Sequence, residues 1–465
     1  MTDTYDLIVI GSGPAGEKGA AQAAYFGRRV ALVEQAPVLG GAAANTGTLP
    51  SKTLRETALY LSGFRQRGLY GVTFGLREKV TARDFLARER QVVDGERARI
   101  VQNLDRHGVV VHQGRASFDD PHTVAVHAPG GDVRRLRADV VLLATGSRPF
   151  RAPQFPWDDP RVYDSDTILQ IREIPGTLLV AGGGVIGCEY ACLFAALGVR
   201  VTLTEGRDRL LGFLDGQVST ALLDAMRRLG IDVRLNEKIA RVDAGDRLVA
   251  HLASGESMPV GAILAATGRT GNTAGLNLER IGIAPTERGL LTVNGHFQTT
   301  VPHVYAAGDV IGFPALASTS MEQARVAMVH AFDLRYKTAV SSVLPYGIYT
   351  IPECSMVGET EESLTAAGVA YVAGEARFAQ NARGKIIGDE EGFLKLLFRA
   401  DDMRLVGAHA FGELATEIIH VGVLAIVMRA TADVFIQMCL NYPTLSEAYK
   451  YATYDAMGRR PTPRP

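Results

Sequence analysis

The apolar run YDLIVI at residues 5–10 opens directly into GSGPAG, and the same arrangement returns where TLLVAG opens into GGGVIG. Gly11, Gly13 and Gly16, and then Gly182, Gly184 and Gly187, each form G-x-G-x-x-G between a strand-like run and a helix-like one. A second apolar run follows each, RRVALVE closing on Glu34 and RVTLTE closing on Glu205, in both cases 18 residues beyond the last glycine. The offset between the two sets is 171 residues at all four positions. A single glycine run of this kind often serves only to pack a turn before a helix, whereas two with matching acids are a specific signal. In such a unit the glycines permit a tight turn and the close approach of a pyrophosphate, the helix N-terminus offers N–H donors, and the acid accepts ribose hydroxyl protons. The pattern predicts an α/β protein with two Rossmann-like units, each holding a dinucleotide.

Between the units, VVLLATGSRP at residues 140–149 reads as a buried strand stopping at Thr145 and Gly146, followed by a Pro-rich stretch to Pro160, as at a crossover between domains. AILAATGRTGN at 262–272 repeats that ending, and HVYAAGDV at 303–310 reads as a further buried strand closing on Gly308 and Asp309. An acid in that place either bonds a ligand hydroxyl or caps the following turn. Residues 81–107 carry Phe85, Val92, Ile100 and Leu104 at near-helical spacing among many charges, which predicts a solvated amphipathic helix. From about residue 341 the pattern changes to strands such as FLKLLF and an apolar helix around EIIHVGVLAIVM at 417–428, predicting a third domain and a subunit interface.

The length of 465 residues suits about three domains. A net charge of -1 gives no overall field to draw the chain to nucleic acid or an anionic membrane. No apolar run approaches the ~20 residues that span a bilayer, and the first residues lack the basic start and apolar core of a secretory leader. The expectation is a soluble cytoplasmic protein with no nucleic-acid or membrane partner. The four cysteines, Cys188, Cys192, Cys354 and Cys439, form no C-x-x-C pair, which excludes a disulfide scaffold. Cys188 and Cys192 share one helical face; this suits buried thiols better than a metal, and no metal is expected.

Nine longer stretches then resemble the flavoprotein disulfide reductase family, closest to its soluble pyridine nucleotide transhydrogenase branch. They are VIGSGPAGE, GTLPSKTLRE, RVYDSDTIL, GGGVIGCEY, RDRLLGFLD, GRTGNT, VYAAGDVIGFPALAS, PYGIYTIPE and NYPTLSEAY, spread over nearly the whole chain. The resemblance implies non-covalent FAD on the first unit, NAD(H) and NADP(H) on the second, and a homodimer formed by an α+β C-terminal domain. It implies FAD-binding segments at 1–150 and 271–340, an NAD(P)-binding domain at 151–270 and a dimerisation domain at 341–465. Beyond the glycines and acids above, it implies cofactor-binding positions at Gly40, Gly41, Lys52, Ala116, Thr145, Gly146, Gly268, Asp309 and Ala317.

The chain also departs from the family. Where dithiol-oxidising members carry C-x4-C beside the flavin, this sequence has Ala43 and Thr48, and where they present His-Pro near the C-terminus it has Tyr442 before Pro443, with Glu447 kept. The transhydrogenase branch shares the Thr and the Tyr-Pro but usually keeps the first cysteine, so Ala43 departs even from that pattern. Lys52 and Glu189 match positions that form an ion pair beside the flavin, where an ammonium stabilises negative charge on the ring; on its own, PSK reads as a helix start with a solvated lysine. Hydride transfer between NADPH and NAD+ through FAD, without a redox disulfide, is the resulting expectation. An NAD(P)H dehydrogenase reducing a quinone or other acceptor is the alternative within enzymes, and a non-catalytic flavin- and NAD-binding protein the alternative outside them. At the second unit Glu205 favours NAD(H) and repels a 2′-phosphate, while Arg207 and Arg209, after Gly206, either pair that phosphate or lie solvated at the surface. If Arg207 reads the phosphate, its loss weakens NADPH use and leaves NADH use little changed.

Overall fold

The computed structural model describes residues 2–63 and 80–460. β1 (Asp3–Ile10) is fully buried from Leu7 onward, as a run of Leu, Ile and Val without polar alternation requires of a central parallel strand. It passes through α1 (Pro14–Tyr25), which starts on a proline with no N–H to satisfy, to β2 (Val30–Glu34). Then come α2 (Gly41–Asn45), α3 (Thr48–Ser62) and α4 (Ala82–Arg106). Thr81 and Asp84 cap α4 reciprocally, each side chain accepting from the other's backbone N–H. Phe85, Val93, Ile100 and Leu104 form its buried stripe, while Val92 sits half-buried at the edge. β3 (Val110–Gln113), β4 (Arg115–Asp120), β5 (Thr123–His127) and β6 (Val133–Leu143) complete a sheet of order β3-β2-β1-β6-β5-β4, parallel from β3 to β6.

The chain leaves this sheet through β7 (Ser147–Pro149) and builds a second one. β8 (Val162–Tyr163), β9 (Thr177–Ala181), α5 (Val185–Ala196), β10 (Arg200–Glu205), α6 (Gly216–Arg228) and β11 (Asp232–Leu235) precede an antiparallel sheet of β12 (Ile239–Asp243), β13 (Leu248–Leu252) and β14 (Ser257–Val260). β15 (Ala262–Ala265) then enters the parallel order β11-β10-β9-β15-β8. β16 (Arg269–Gly271) pairs antiparallel with β7, so the outward and return crossings run side by side. β17 (Val304–Ala306) rejoins the first sheet beside β6, and α7 (Ala317–Ala331) packs on α1.

The remaining strands, β18 (Tyr346–Ile348), β19 (Glu353–Gly358), β20 (Tyr371–Arg377), β21 (Phe393–Arg399) and β22 (Leu405–Gly412), form an antiparallel sheet of order β18-β19-β22-β21-β20. Short helices α8 (Glu361–Ala366) and α9 (Ala382–Ile387) lie between them, and α10 (Ala415–Val427), α11 (Ala432–Gln437) and α12 (Ala448–Arg459) follow. α10 and α12 cover the sheet but leave Leu424, Val427 and Met428, and Tyr451, Tyr454 and Met457, exposed. No helix among the described residues is long and apolar enough to cross a membrane.

Candidate active site

The outer glycines of both turns are required by the backbone itself. Gly11 and Gly182 have φ of +103° and +108°, and a Cβ on them would lie 2.4 Å from the Ala144 carbonyl oxygen and 2.6 Å from that of Ala266. A Cβ on Gly16 or Gly187 would lie 1.8 Å from the carbonyl oxygen of Gly11 or Gly182. The middle glycines differ: a Cβ on Gly184 meets nothing within 4 Å, and one on Gly13 meets only the Gly41 Cα at 3.9 Å. Each therefore borders open space at a helix N-terminus, which is what a pyrophosphate needs. Gly40 and Gly41, at φ +104° and +56°, bring the chain back over Gly13.

Each acid is held by the main chain. Glu34 accepts from Ser12 N–H at 2.9 Å, Ser12 Oγ at 2.6 Å and Ala36 N–H at 2.8 Å. Glu205 accepts from Gly183 N–H at 2.8 Å and Arg207 N–H at 2.9 Å. Arg207 also folds its guanidinium onto Glu205, whereas Arg209 is engaged elsewhere, donating to the Gly212 and Leu214 carbonyls and to Glu362. Burial raises the Glu205 pKa, but the bonds from Arg207 and the main chain outweigh it and hold the carboxyl below its usual range. Gly206 serves space rather than rotation: a Cβ there would meet Lys238 Cε at 2.4 Å. Lys238 is thus a cation flanking the site that sequence reasoning missed; it stands 31 residues past Arg207 with no local motif.

Lys52 on α3 and Glu189 on α5 meet between the two units. The ammonium donates to both carboxylate oxygens at 2.8 and 2.6 Å, and Tyr349 N–H adds a third bond at 2.9 Å. Glu189 is 5% exposed and Lys52 26%, so the cation keeps one open side. Its Nζ also lies 4.9 Å from the centre of the Tyr349 ring. Tyr349 belongs to the PYGIYTIPE stretch, but nothing in that stretch alone shows that its backbone steadies Glu189.

Around the end of β6, Thr145 Oγ1 is buried without a hydrogen-bond partner. Asp309, which follows Gly308 at φ +82°, accepts from Ser147 Oγ at 2.8 Å, and that oxygen accepts from Arg269 Nε at 2.7 Å. Gly146 and Gly268, at φ +67° and +120°, leave open space where a side chain would be, and Ala317 is the first residue of α7. Ala116 lies in β4 opposite Val126 with its methyl in the apolar core, so its side chain has no part in binding. The open glycine cradles, the unpartnered Thr145 hydroxyl and the main-chain-held acids fit FAD on the first unit and a pyridine dinucleotide on the second.

No sulfur reaches this region from Ala43, in α2, or from Thr48, exposed at the start of α3. Cys188, Cys192 and Cys354 are buried; burial pushes the Cys192 and Cys354 thiols up to about 12 and raises Cys188 as well. Cys188 Sγ donates to the Gly183 carbonyl at 3.4 Å, as a packed thiol does. Tyr442 is 74% exposed on the C-terminal part of the chain.

Two main-chain-closed dinucleotide cradles, with an amine–carboxylate pair between them, define an oxidoreductase of the two-dinucleotide class. The chain belongs to the pyridine nucleotide-disulphide oxidoreductase family, whose model matches residues 5–331; the model of that family's dimerisation domain matches residues 344–453. It is 44% identical over 458 residues to a soluble pyridine nucleotide transhydrogenase of Mycobacterium bovis, covering 98% of this chain and 97% of that one. The enzyme of the same name from Pseudomonas putida is 42% identical over 461 residues, 98% of both chains. Among solved structures, LpdA from Mycobacterium tuberculosis superposes with a TM-score of 0.89 at 28% identity, covering 97% of this chain and 99% of that one. The HOCl-induced flavoprotein disulfide reductase RclA from Escherichia coli, as its Cu(II) complex, gives 0.88 at 27% identity, covering 98% and 99%.

Proposed function

We propose that this chain passes hydride between NADPH and NAD+ through an FAD held by the first unit, without a sulfur relay, as a homodimer in the cytoplasm. The observation that carries this reading is the intact Lys52–Glu189 pair between two nucleotide cradles, with Ala43 and Thr48 where the family's disulfide would stand. The full-length relatives named soluble pyridine nucleotide transhydrogenase support it. FAD, when bound, accepts a hydride from one nicotinamide and returns it to another. The chain's own residues bind and orient: Glu34 and Glu205 receive ribose hydroxyls, and the main chain at Gly13 and Gly184 admits the pyrophosphates. Glu189, itself held by Tyr349 N–H, fixes the Lys52 ammonium, which offers a preorganised positive charge to negative charge gathering beside it.

Anaerobic stopped-flow mixing tests the reading. NADPH should bleach the flavin and NAD+ should restore its colour, each at a rate compatible with steady-state turnover. Bleaching without recovery by NAD+ would point to the dehydrogenase alternative, and no bleaching by either reduced nucleotide to a non-catalytic protein. The exposed apolar faces of α10 and α12 support the homodimer; sedimentation should give twice the 49.9 kDa chain mass.

A further inference from the structure

The two nucleotide units share the main-chain contacts at the acid and differ in the side chains added to them: Ser12 gives Glu34 its hydroxyl at 2.6 Å, where Gly183 has none to give, and Arg207 adds a guanidinium that Ala36 lacks. Ser12 N–H and Ala36 N–H hold Glu34; at the same 171-residue offset, Gly183 N–H and Arg207 N–H hold Glu205. Ala36 ends in a methyl. Arg207 continues, placing Nε on Oε1 at 3.0 Å and Nη2 on Oε2 at 3.2 Å of the same carboxylate. A carboxylate has about four acceptor directions. The main chain takes two at Glu205, and the guanidinium holds the two that a ribose diol requires.

We propose that Arg207 is an internal competitor for the adenosine ribose subsite, so that it opposes NAD(H) binding while favouring NADP(H). An NAD ribose must displace the guanidinium before Glu205 can accept its hydroxyl protons. A 2′-phosphate does the reverse, offering the guanidinium a stronger bidentate anion and drawing it off the acid. Lys238, whose stem crosses Gly206, adds a second cation on that side. The Arg207 side chain is 62% exposed, so the pair is loose and screened by salt, and the competition is several-fold rather than all-or-none. The sequence alone, blind to the covered carboxylate, gives no reason for NADH to respond to this arginine. A single side chain thereby narrows the gap between two nucleotides that one site must bind in turn. The NADP(H) half of the proposal rests on the transhydrogenase reading; the NAD(H) half does not.

The test is calorimetric titration of the oxidised, FAD-loaded protein with NAD+ and with NADP+, neither of which reduces it. Arg207→Ala should tighten NAD+ by about two- to fivefold, the weight of an exposed ion pair, and weaken NADP+ by at least about tenfold, the weight of a charge-assisted contact. Raising the salt from about 50 to 500 mM should shrink the difference in NAD+ affinity between parent and variant. Arg207→Lys, which keeps the charge without the fork, should fall between them. Unchanged or weakened NAD+ binding in Arg207→Ala overturns the proposal. A parent that binds NAD+ but no NADP+ removes the transhydrogenase reading, while tightening of NAD+ in the variant still upholds the competitor.

Discussion

Replacing Lys52 by alanine separates a charge that acts on the chemistry from one that only fills space. The substitution removes two short bonds to Glu189, at 2.6 and 2.8 Å, and leaves that carboxylate, 5% exposed, with Tyr349 N–H as its remaining partner. Stranding a fully buried charge costs about 3–5 kcal/mol; the open side of Lys52 lets water replace the ammonium, so roughly 1–3 kcal/mol of stability should be lost. If Lys52 acts at the hydride site as proposed, removing its charge forfeits one charge-assisted interaction, roughly 1.5–3 kcal/mol, and should slow flavin reduction by about ten- to a hundredfold. The two effects part in the double variant Lys52→Ala/Glu189→Gln, where no charge is stranded. It should regain thermal stability but remain slow. The assay is anaerobic flavin bleaching at saturating NADH, with FAD content and thermal midpoint measured on the same samples. Reduction of Lys52→Ala at the parent rate with full FAD, or a double variant that regains speed along with stability, would refute the electrostatic role.

The absence of sulfur at Ala43 and Thr48 and the tyrosine at position 442 predict no dihydrolipoamide, glutathione or mercuric reductase activity and no thiolate charge-transfer band on two-electron reduction; lipoamide turnover above a flavin-free control would contradict this. Gly184→Ala should fold normally, because its φ of -78° suits alanine and its Cβ meets nothing within 4 Å, yet lose at least about tenfold in NAD+ affinity by filling the pyrophosphate cradle. Gly187→Ala, with its Cβ 1.8 Å from the Gly182 carbonyl oxygen, should instead lower the thermal midpoint; equal behaviour of the two variants would show that the cradle is misassigned. Cysteine alkylation at pH 8 should modify Cys439 alone in the native protein. The Cys192 and Cys354 thiols, pushed up to about 12, and the raised Cys188 stay protonated and buried until pH rises far above that or the chain unfolds, when mass spectrometry should count four labels.

What the sequence made legible is what the chain determines locally. Gly11 and Gly182 answer to a left-handed φ and Gly16 and Gly187 to a carbonyl five residues back, and Glu34 and Glu205 end strands rich in Val, Leu and Thr, so spacing alone locates them. The Lys52–Glu189 pair spans 137 residues and has no local signature; only the resemblance to a family joined the two. Tyr349 N–H on Glu189, 160 residues apart, and Ser147 on Asp309, 162 apart, were invisible for the same reason, since β17 reaches the first sheet only after the whole second unit has been built. Arg207 stands only two residues from Glu205, yet its sequence position offers just two states, solvated or phosphate-bound. The third state, in which the arginine occupies the acid itself, uses the close approach at 205–207: Arg207 N–H bonds one carboxylate oxygen, and the guanidinium of the same residue folds back onto both. In the first unit the matching turn ends in Ala36, and Glu34 accepts a hydroxyl from Ser12 rather than a guanidinium. At this acid the proposed difference between the two units lies in what is added to a shared main-chain frame, a hydroxyl from Ser12 in the first and the Arg207 guanidinium in the second.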